Sequence, residues 1–249
     1  MRPDKIQLMP KVSIIIRLKN EQEFLPKVLE SLANQTYKDF EIIAVENCST
    51  DKTLQILKDF QKELNITIVN LPANKFTYSY ASNLGAQHAS GEIIGYLSGH
   101  SIPILEDYIA SGVKHFSDER VAGVYGTVLP SSKATLSERL YYSAGLGYKN
   151  RLRLILSQQP KIIAKPQTGL LGNTNSFIRR SLWERYPFSD LLAFGGEDTG
   201  WAIHFMRLGY IIIREPHMVV EHSHGINLTK LIAEKVGWYR MYKKERELS

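Results

Sequence analysis

Cysteine is nearly absent from the chain, since Cys48 is the only one in 249 residues. No internal disulfide can therefore form, and this usage is typical of proteins in a reducing compartment. Long apolar runs are missing too: none reaches the roughly 18 residues that span a bilayer, and the N-terminus lacks a signal-peptide pattern. We therefore expect a cytoplasmic protein that folds without disulfides.

Sequence features of nucleic-acid-binding modules are also lacking. The chain has neither zinc-finger spacing nor an aromatic RNA-binding signature. Its net charge of +6 favours anionic partners, among them phosphates and acidic lipids. With 43% hydrophobic and 22% charged residues, the composition predicts a folded domain and excludes a disordered or fibrous class. Nucleic acid is not an expected partner.

In the first hundred residues, β-rich runs alternate with helical patterns. Strands are expected at Lys11–Leu18, Glu41–Val45, Ile66–Leu71 and Glu92–Leu97. Helices are expected at Glu23–Asn34, after a cap at Ser49, and at Ser82–Ser90. Such alternation forms a mainly parallel sheet, which binds ligands beyond the carboxyl ends of its strands. Polar residues follow three of these ends, at Arg17–Glu21, Glu46–Asp51 and Ser98–Pro103.

The second half of the chain is less regular. Strands are expected at Val121–Leu129, Asn175–Ile178, Tyr210–Ile213 and Met218–Val220, a helix at Asp198–Leu208, and a helix or an excursion at Leu136–Leu156. No linker divides the chain, which predicts one domain over residues 1–249. A C-terminal amphipathic helix begins at Leu228. Its later part could contact the inner face of a membrane through Trp238, Tyr239, Arg240, Tyr242, Lys243 and Lys244. The alternative is that the helix docks on the domain.

Three groups of residues carry candidate chemistry, and each has a structural alternative. Glu46 ends a strand, where a carboxylate accepts hydrogen bonds from a base or ribose, but the segment also fits an ordinary strand–helix turn. One acid in the run Gly195–Asp198 is a candidate general base, although acids at a helix start also favour the helix dipole. His222 and His224 would share one face of a strand, which suits a metal ion or a diphosphate.

Four longer segments occur in order between about Val12 and His224: KVSIIIRLKNEQEFLPKVLESLANQTYKDFEIIAVENCSTDKT, ASNLGAQHASGEIIGYLSGHSIP, GGEDTGWAIHFMRLGY and VVEHSHG. Together they resemble the family 2 glycosyltransferases of GT-A fold. KFTYSYASNLGAQHASGEI followed by VAGVYGTVLP is most similar to the rhamnosyltransferase-like members, which build bacterial surface polysaccharides. The resemblance implies a Rossmann-like α/β fold with a mainly parallel central sheet flanked by helices. About residues 10–105 would bind a nucleotide sugar, and 106–249 would form a less regular acceptor half.

The resemblance also implies a role for individual residues. The donor site would be formed by Arg17, Lys19, Asn20, Glu21, Glu46, Asn47, Asn83, Ser98 and His100. Asp198 would be the catalytic base, with Glu197 before it, and Trp201 would floor the acceptor site. His222 or His224 falls where some members place a metal or diphosphate ligand.

One departure from the family pattern concerns the metal motif. The family's D-x-D is replaced by Ser98-Gly99-His100, so the usual metal-binding aspartate is absent. The divalent cation expected in the family is Mn²⁺ or Mg²⁺; Mg²⁺ prefers oxygen ligands, whereas imidazole better suits Mn²⁺ or another transition metal. Three options follow: His100 and the late histidines hold Mn²⁺; cationic side chains replace the metal; or the site is inactive.

The resemblance implies an inverting transfer from a nucleotide sugar to a hydroxyl of a glycan or lipid-linked acceptor. The alternative is a non-catalytic nucleotide- or glycan-binding protein that keeps the fold. A sugar-phosphate nucleotidyltransferase is not expected, because the segment after the first strand, Arg17–Glu21, contains no glycine.

Overall fold

A computed structural model describes residues 11–167, 169–190, 195–234 and 236–237 of the chain. The predicted membrane-contacting residues from Trp238 to Lys244 lie outside this part. Among the described residues, no helix has the length and apolar character needed to cross a bilayer.

The strands form one sheet. Their bounds are β1 Val12–Leu18, β2 Phe40–Glu46, β3 Ile66–Asn70, β4 Ile93–Ser98, β5 Ile102–Pro103, β6 Val121–Leu129, β7 Lys161–Ile163, β8 Asn175–Arg179 and β9 Ile211–Glu221. The order is β3-β2-β1-β4-β8-β6-β9-β5, and β7 also pairs with β9. The first four strands are parallel, β8 is antiparallel to both of its neighbours, and β6 and β9 are parallel to each other. Most described strands therefore point the same way.

Helices surround this sheet, and eight of those in the described part of the chain are numbered here. They are α1 Leu25–Ala33, α2 Thr53–Phe60, α3 Tyr78–Gln87, α4 Tyr108–Val113, α5 Leu136–Tyr142, α6 Tyr148–Leu156, α7 Arg180–Arg185 and α8 Glu197–Arg207. Residues 228–234 and 236–237 are also helical.

Two apolar layers cover the two faces of the sheet. In β1, Ile14 and Ile16 belong to one buried cluster with α1 and α4, whereas Ile15 belongs to the other cluster with α3, α7 and α8. Successive strand residues point to opposite faces, so a strand covered on both sides must be apolar throughout. The expected α/β architecture, with a mainly parallel sheet flanked by helices, is confirmed.

Several local predictions were wrong. Ser49 does not cap α2, which begins at Thr53 after Lys52; its hydroxyl instead accepts a hydrogen bond from the Asn20 amide at 2.9 Å. The segment 136–156, expected to be a helix or an excursion, forms two helices, α5 and α6. The two short strands predicted after residue 209 are the single strand β9.

Candidate functional site

The carboxyl ends of β1, β2 and β4 lie side by side. In the sheet register Leu18 is opposite Glu46, and Arg17 is opposite Ser98. The loops after β1 and β2 are joined further by Asn20, whose Oδ1 accepts from the Thr50 amide at 2.8 Å. Asn20 has a φ of 56° and is exposed. Its side chain therefore holds two loops together, which is a structural use not foreseen for this predicted donor-site residue.

Two of the predicted donor-site residues at the β2 tip are buried. Glu46 accepts a hydrogen bond from the Ser49 amide at 2.5 Å, so it also closes the turn after its strand. Asn47 is 3% exposed, and its Oδ1 has no hydrogen-bond partner. A buried acceptor without a donor favours a ligand at this position. Lys19, by contrast, is exposed.

Two residues given roles by the resemblance are structural. Asn83 donates to the Phe188 carbonyl at 2.8 Å, and its Oδ1 accepts from the Trp183 indole at 2.9 Å. These bonds use both ends of its amide and anchor α3, and the donor-site role of Asn83 stays a prediction. Trp201 is 1% exposed and donates to the Tyr186 carbonyl, so it belongs to the core and does not floor an acceptor site.

An acid pair opens α8. Gly195 and Gly196 precede it with φ values of 111° and 93°, a region that favours glycine, and turn the chain into the helix. Asp198 accepts from the amides of Asn173 at 2.9 Å and Thr199 at 2.6 Å. Glu197 Oε1 accepts from Asn173 Nδ2 at 3.1 Å, while its Oε2 is buried without a partner.

Arg17 connects this acid pair to the tip of β1. Its Nη2 donates to the Asn173 carbonyl at 3.2 Å, and its Nη1 lies 3.9 Å from Glu197 Oε1. The guanidinium also lies over the Tyr78 ring, 5.3 Å from the centroid. The acid pair therefore lies at the same edge of the sheet as the other strand tips.

Burial dominates the titration of the pair. It raises the pKa of Glu197 to about 7; the charge of Asp198 adds to this rise, and Arg17 opposes it. Burial also raises the pKa of Asp198, against the opposing effect of its two backbone N–H donors. A buried carboxyl beside a second one holds its proton to higher pH, as general acid–base groups require at neutral pH.

Three histidines converge beside these tips. The antiparallel pairing of β5 with β9, with Ile102 opposite Glu221, brings the segment after β4 alongside the segment after β9. The ligand nitrogens of His100, His222 and His224 lie within 4.8 Å of one another. The predicted convergence of His222 and His224 is present, although β9 ends before them, and their Nε2 atoms are 3.1 Å apart. We call this set the histidine cluster.

Two of the imidazoles in the cluster are oriented by hydrogen bonds to their Nδ1 atoms. Glu21 Oε1 lies 2.8 Å from His100 Nδ1, and Ser101 Oγ lies 3.1 Å from His222 Nδ1. Gly99 permits this arrangement, because a Cβ there would lie 2.6 Å from Glu21 Cγ. His224 is held by its backbone, whose amide donates to Glu138 Oε1 at 2.9 Å.

Sequence reasoning missed Asn173, Tyr78 and Ser101. Asn173 contacts three residues of the site, yet it lies between β7 and β8 in a segment with no recognisable motif. Tyr78 starts α3, a turn earlier than expected. Ser101 was within the predicted polar segment after β4 but was given no role.

Comparisons with known proteins agree with this arrangement. The chain matches Glycosyl transferase family 2 over residues 13–186. It is 24% identical over 240 residues to the dolichyl N-acetyl-alpha-D-glucosaminyl phosphate 3-beta-D-2,3-diacetamido-2,3-dideoxy-beta-D-glucuronosyltransferase of Methanococcus voltae, covering 91% of this chain and 71% of that protein. It is 27% identical over 219 residues to the O-antigen chain rhamnosyltransferase RfbN of Salmonella typhimurium, covering 86% and 67%. The expected likeness to rhamnosyltransferases is thus modest.

A solved structure supports the fold. The mannosyltransferase PcManGT from Pyrobaculum calidifontis, in complex with GDP-Man and Mn²⁺, matches with a TM-score of 0.65 at 22% identity. The match covers 87% of this chain and 57% of the solved chain, so this chain spans little more than half of it. The predicted GT-A fold is confirmed. Because the family match covers well over half of the sequence and includes the tips of β1, β2 and β4, the chain belongs to glycosyl transferase family 2.

Proposed function

We propose that this protein transfers a sugar, with inversion, from a nucleotide sugar to a hydroxyl group of a lipid-linked glycan acceptor. The observation that carries the proposal is the buried acid pair at the start of α8, which Arg17 joins to the tip of β1. In parallel α/β sheets this edge binds the ligand. A carboxylate at that edge is in position to act on an acceptor beside a bound donor.

Asp198 is the base in this proposal. Two backbone N–H donors stabilise its anionic form and fix its orientation. The acceptor O–H gives its proton to Asp198 while its oxygen forms a bond to the anomeric carbon. The bond from that carbon to the diphosphate oxygen breaks on the opposite face, and its electron pair leaves with the diphosphate. Glu197, whose pKa is about 7, keeps its proton for part of the time at neutral pH and so limits the negative charge beside the base.

The donor site in this proposal uses residues with unmet hydrogen-bonding capacity. Asn47 Oδ1 and Arg17 Nη1 are buried without hydrogen-bond partners at the tips of β2 and β1, although Nη1 faces Glu197 at 3.9 Å. Glu46, also buried, is the candidate contact for the base or ribose, and exposed Lys19 lies at the rim. We assign this donor half to about residues 10–105 and the acceptor half to 106–249, within one domain.

The leaving diphosphate needs a positive partner, and the histidine cluster lies at the end of β4 where the family places its cation. The mannosyltransferase PcManGT was solved with Mn²⁺. Mg²⁺ prefers an octahedron of oxygen atoms, and Mn²⁺ also suits oxygen ligands. A cluster that presents only imidazole nitrogens does not fit Mg²⁺, so the proton and bond changes above are assigned without a metal.

An exposed apolar groove supports a lipid-linked acceptor. It has a volume of about 740 Å³ and lies between α5 and the helical residues 228–234 and 236–237. Its walls include Leu136, Leu140, Tyr141, Leu228, Ile232 and Val236. Residues 131–165 also carry seven basic side chains against one acid, Glu138. An apolar groove in a basic part of the chain suits lipid chains below anionic head groups, and so peripheral contact with the inner face of a membrane.

The test of the function is the Asp198→Asn variant. Transfer should fall on the order of a hundred-fold to ten-thousand-fold, while calorimetry should show unchanged nucleotide-sugar binding. Asp59→Asn on α2 is the matched control, because its side chain is exposed. Undiminished transfer by Asp198→Asn would contradict the assignment of the base. Donor binding without turnover in the unmodified protein, over a panel of acceptors, would support the non-catalytic alternative.

A further inference from the structure

We propose that the histidine cluster is a three-imidazole site for one transition-metal ion of the zinc class. The use of that ion in transfer rests on the proposed function, whereas the binding itself rests on the geometry of the cluster. This is a departure of this chain from the carboxylate ligands of the family's D-x-D motif, whose two aspartates are replaced by Ser98 and His100.

The spacing of the nitrogens is close to that of a tetrahedral metal site. Zinc binds histidine nitrogens at about 2.0–2.1 Å, so two ligands on a tetrahedral ion lie about 3.3 Å apart. The Nε2 atoms of His222 and His224 are 3.1 Å apart. All three ligand nitrogens lie within 4.8 Å of one another, so His100 needs a movement of no more than about 1.5 Å to complete the set.

The orientation of His100 is fixed as a metal ligand requires. A carboxylate only accepts hydrogen bonds, so Nδ1 of His100 carries the proton that it donates to Glu21 Oε1 at 2.8 Å. The lone pair is then on Nε2. That atom is buried and has no hydrogen-bond partner. This carboxylate–histidine arrangement is the one that orients zinc-bound imidazoles, and it gives an independent indication of a ligand at the cluster.

Ser101 orients His222 in a similar way. Its Oγ lies 3.1 Å from His222 Nδ1, which leaves Nε2 directed at His224. Both side chains, His222 and Ser101, are buried. Two of the three imidazoles are therefore held by their Nδ1 atoms, with Nε2 as the ligand atom.

The chemistry of the donor set selects the class of metal. Imidazole suits Zn²⁺, Cu²⁺, Fe²⁺ and Ni²⁺, whereas carboxylate and water suit Mg²⁺ and Mn²⁺. Among the described residues, the group of ligand atoms that meet within 4.8 Å consists of the three histidines, and Glu21 binds Nδ1 of His100 from behind. Three protein nitrogens leave a fourth position open on a tetrahedral ion. A phosphate oxygen is the ligand expected there.

The test is metal binding by the full chain after chelator treatment and dialysis. Calorimetric titration should give one Zn²⁺ per chain. X-ray absorption of the zinc-loaded protein should show three imidazole nitrogens at about 2.0–2.1 Å and one further light atom. Ser101→Ala should weaken zinc affinity about 10-fold to 100-fold, and His100→Ala should weaken it more. His88→Ala is the matched control, because that exposed histidine at the end of α3 lies outside the cluster.

Circular dichroism on each variant separates loss of a ligand from loss of the fold. Absence of stoichiometric zinc binding, a shell of oxygen atoms only, or unchanged affinity in a folded His100→Ala variant would overturn the proposal. Transfer that is fully retained in the chelator-treated enzyme would overturn only the metal's use in the reaction. Zinc binding by a protein without transferase activity would instead overturn the proposed function and leave the site in place.

Discussion

Replacing Glu197 with glutamine should remove a large part of the pH dependence of stability between pH 5 and 8. Burial raises the pKa of this carboxyl from its ordinary 4.5 to about 7. A raised carboxyl pKa gives stability that is fully present below about pH 4.5 and is lost as the pH rises through 7. Each pKa unit is worth about 1.4 kcal/mol, and the side chain is nearly inaccessible to water, so ionised Glu197 destabilises the fold by about 3 kcal/mol.

Urea denaturation at pH 5, 6, 7 and 8 measures this effect. Glutamine keeps the shape of the side chain and an oxygen that can accept from Asn173 Nδ2. The free energy of unfolding of Glu197→Gln, relative to the unmodified protein, should therefore increase by about 2.5 kcal/mol from pH 5 to pH 8, since part of the effect is already present at pH 5. Glu119→Gln on the surface is the control and should give no such increase. Parallel stability curves for Glu197→Gln and the unmodified protein would refute the reasoning.

Three further changes test other parts of the site. Arg17→Gln removes a charge that lowers the pKa of the base, Asp198, so the acidic limb of the pH–rate profile should move to higher pH and transfer should fall at least about ten-fold at pH 7; an unmoved limb would contradict this electrostatic role of Arg17. Tyr78→Ala should raise KM more than it lowers kcat, whereas Tyr78→Phe, which keeps the ring under Arg17, should stay close to the unmodified protein in steady-state kinetics. Leu140→Glu places a charge in the apolar groove and should abolish sedimentation with anionic vesicles. Transfer to a short water-soluble acceptor should persist. Unchanged sedimentation would exclude the groove as the lipid contact.

The parallel half of the fold could be predicted because its signals are local. β1, β2 and β4 are largely continuous apolar runs, and α1 shows one apolar stripe formed by Leu25, Val28, Leu29 and Leu32. In the other half, Glu215 and Pro216 interrupt the apolar pattern of β9, so the sequence predicted two strands. The structure keeps one strand because buried Glu215 is paired with His115 at 2.6 Å and Lys114 at 3.1 Å, a contact between distant residues that no local pattern shows.

The candidate site could be predicted only as far as its segments. The strand tips with Arg17 and Glu46 and the acids at α8 follow from strand ends and a helix start, and their catalytic roles stay predictions. Asn83 was assigned by family position, but its amide is used by Trp183 and Phe188, which are about a hundred residues away. Asn173 could not be found at all, because its importance comes entirely from the tertiary fold.

Glu138 connects α5, which forms one wall of the groove, to the histidine cluster. One of its oxygens caps α5 through the Thr135 amide, at 2.9 Å, and the other holds the amide of His224, also at 2.9 Å. The carboxyl is fully buried, yet these backbone N–H donors outweigh the effect of burial and keep its pKa below the ordinary value. A shift of α5 must therefore either break a charge-assisted hydrogen bond of Glu138 or move His224 with it. A lipid that displaces α5 on entering the groove would for this reason change the position of the His224 imidazole.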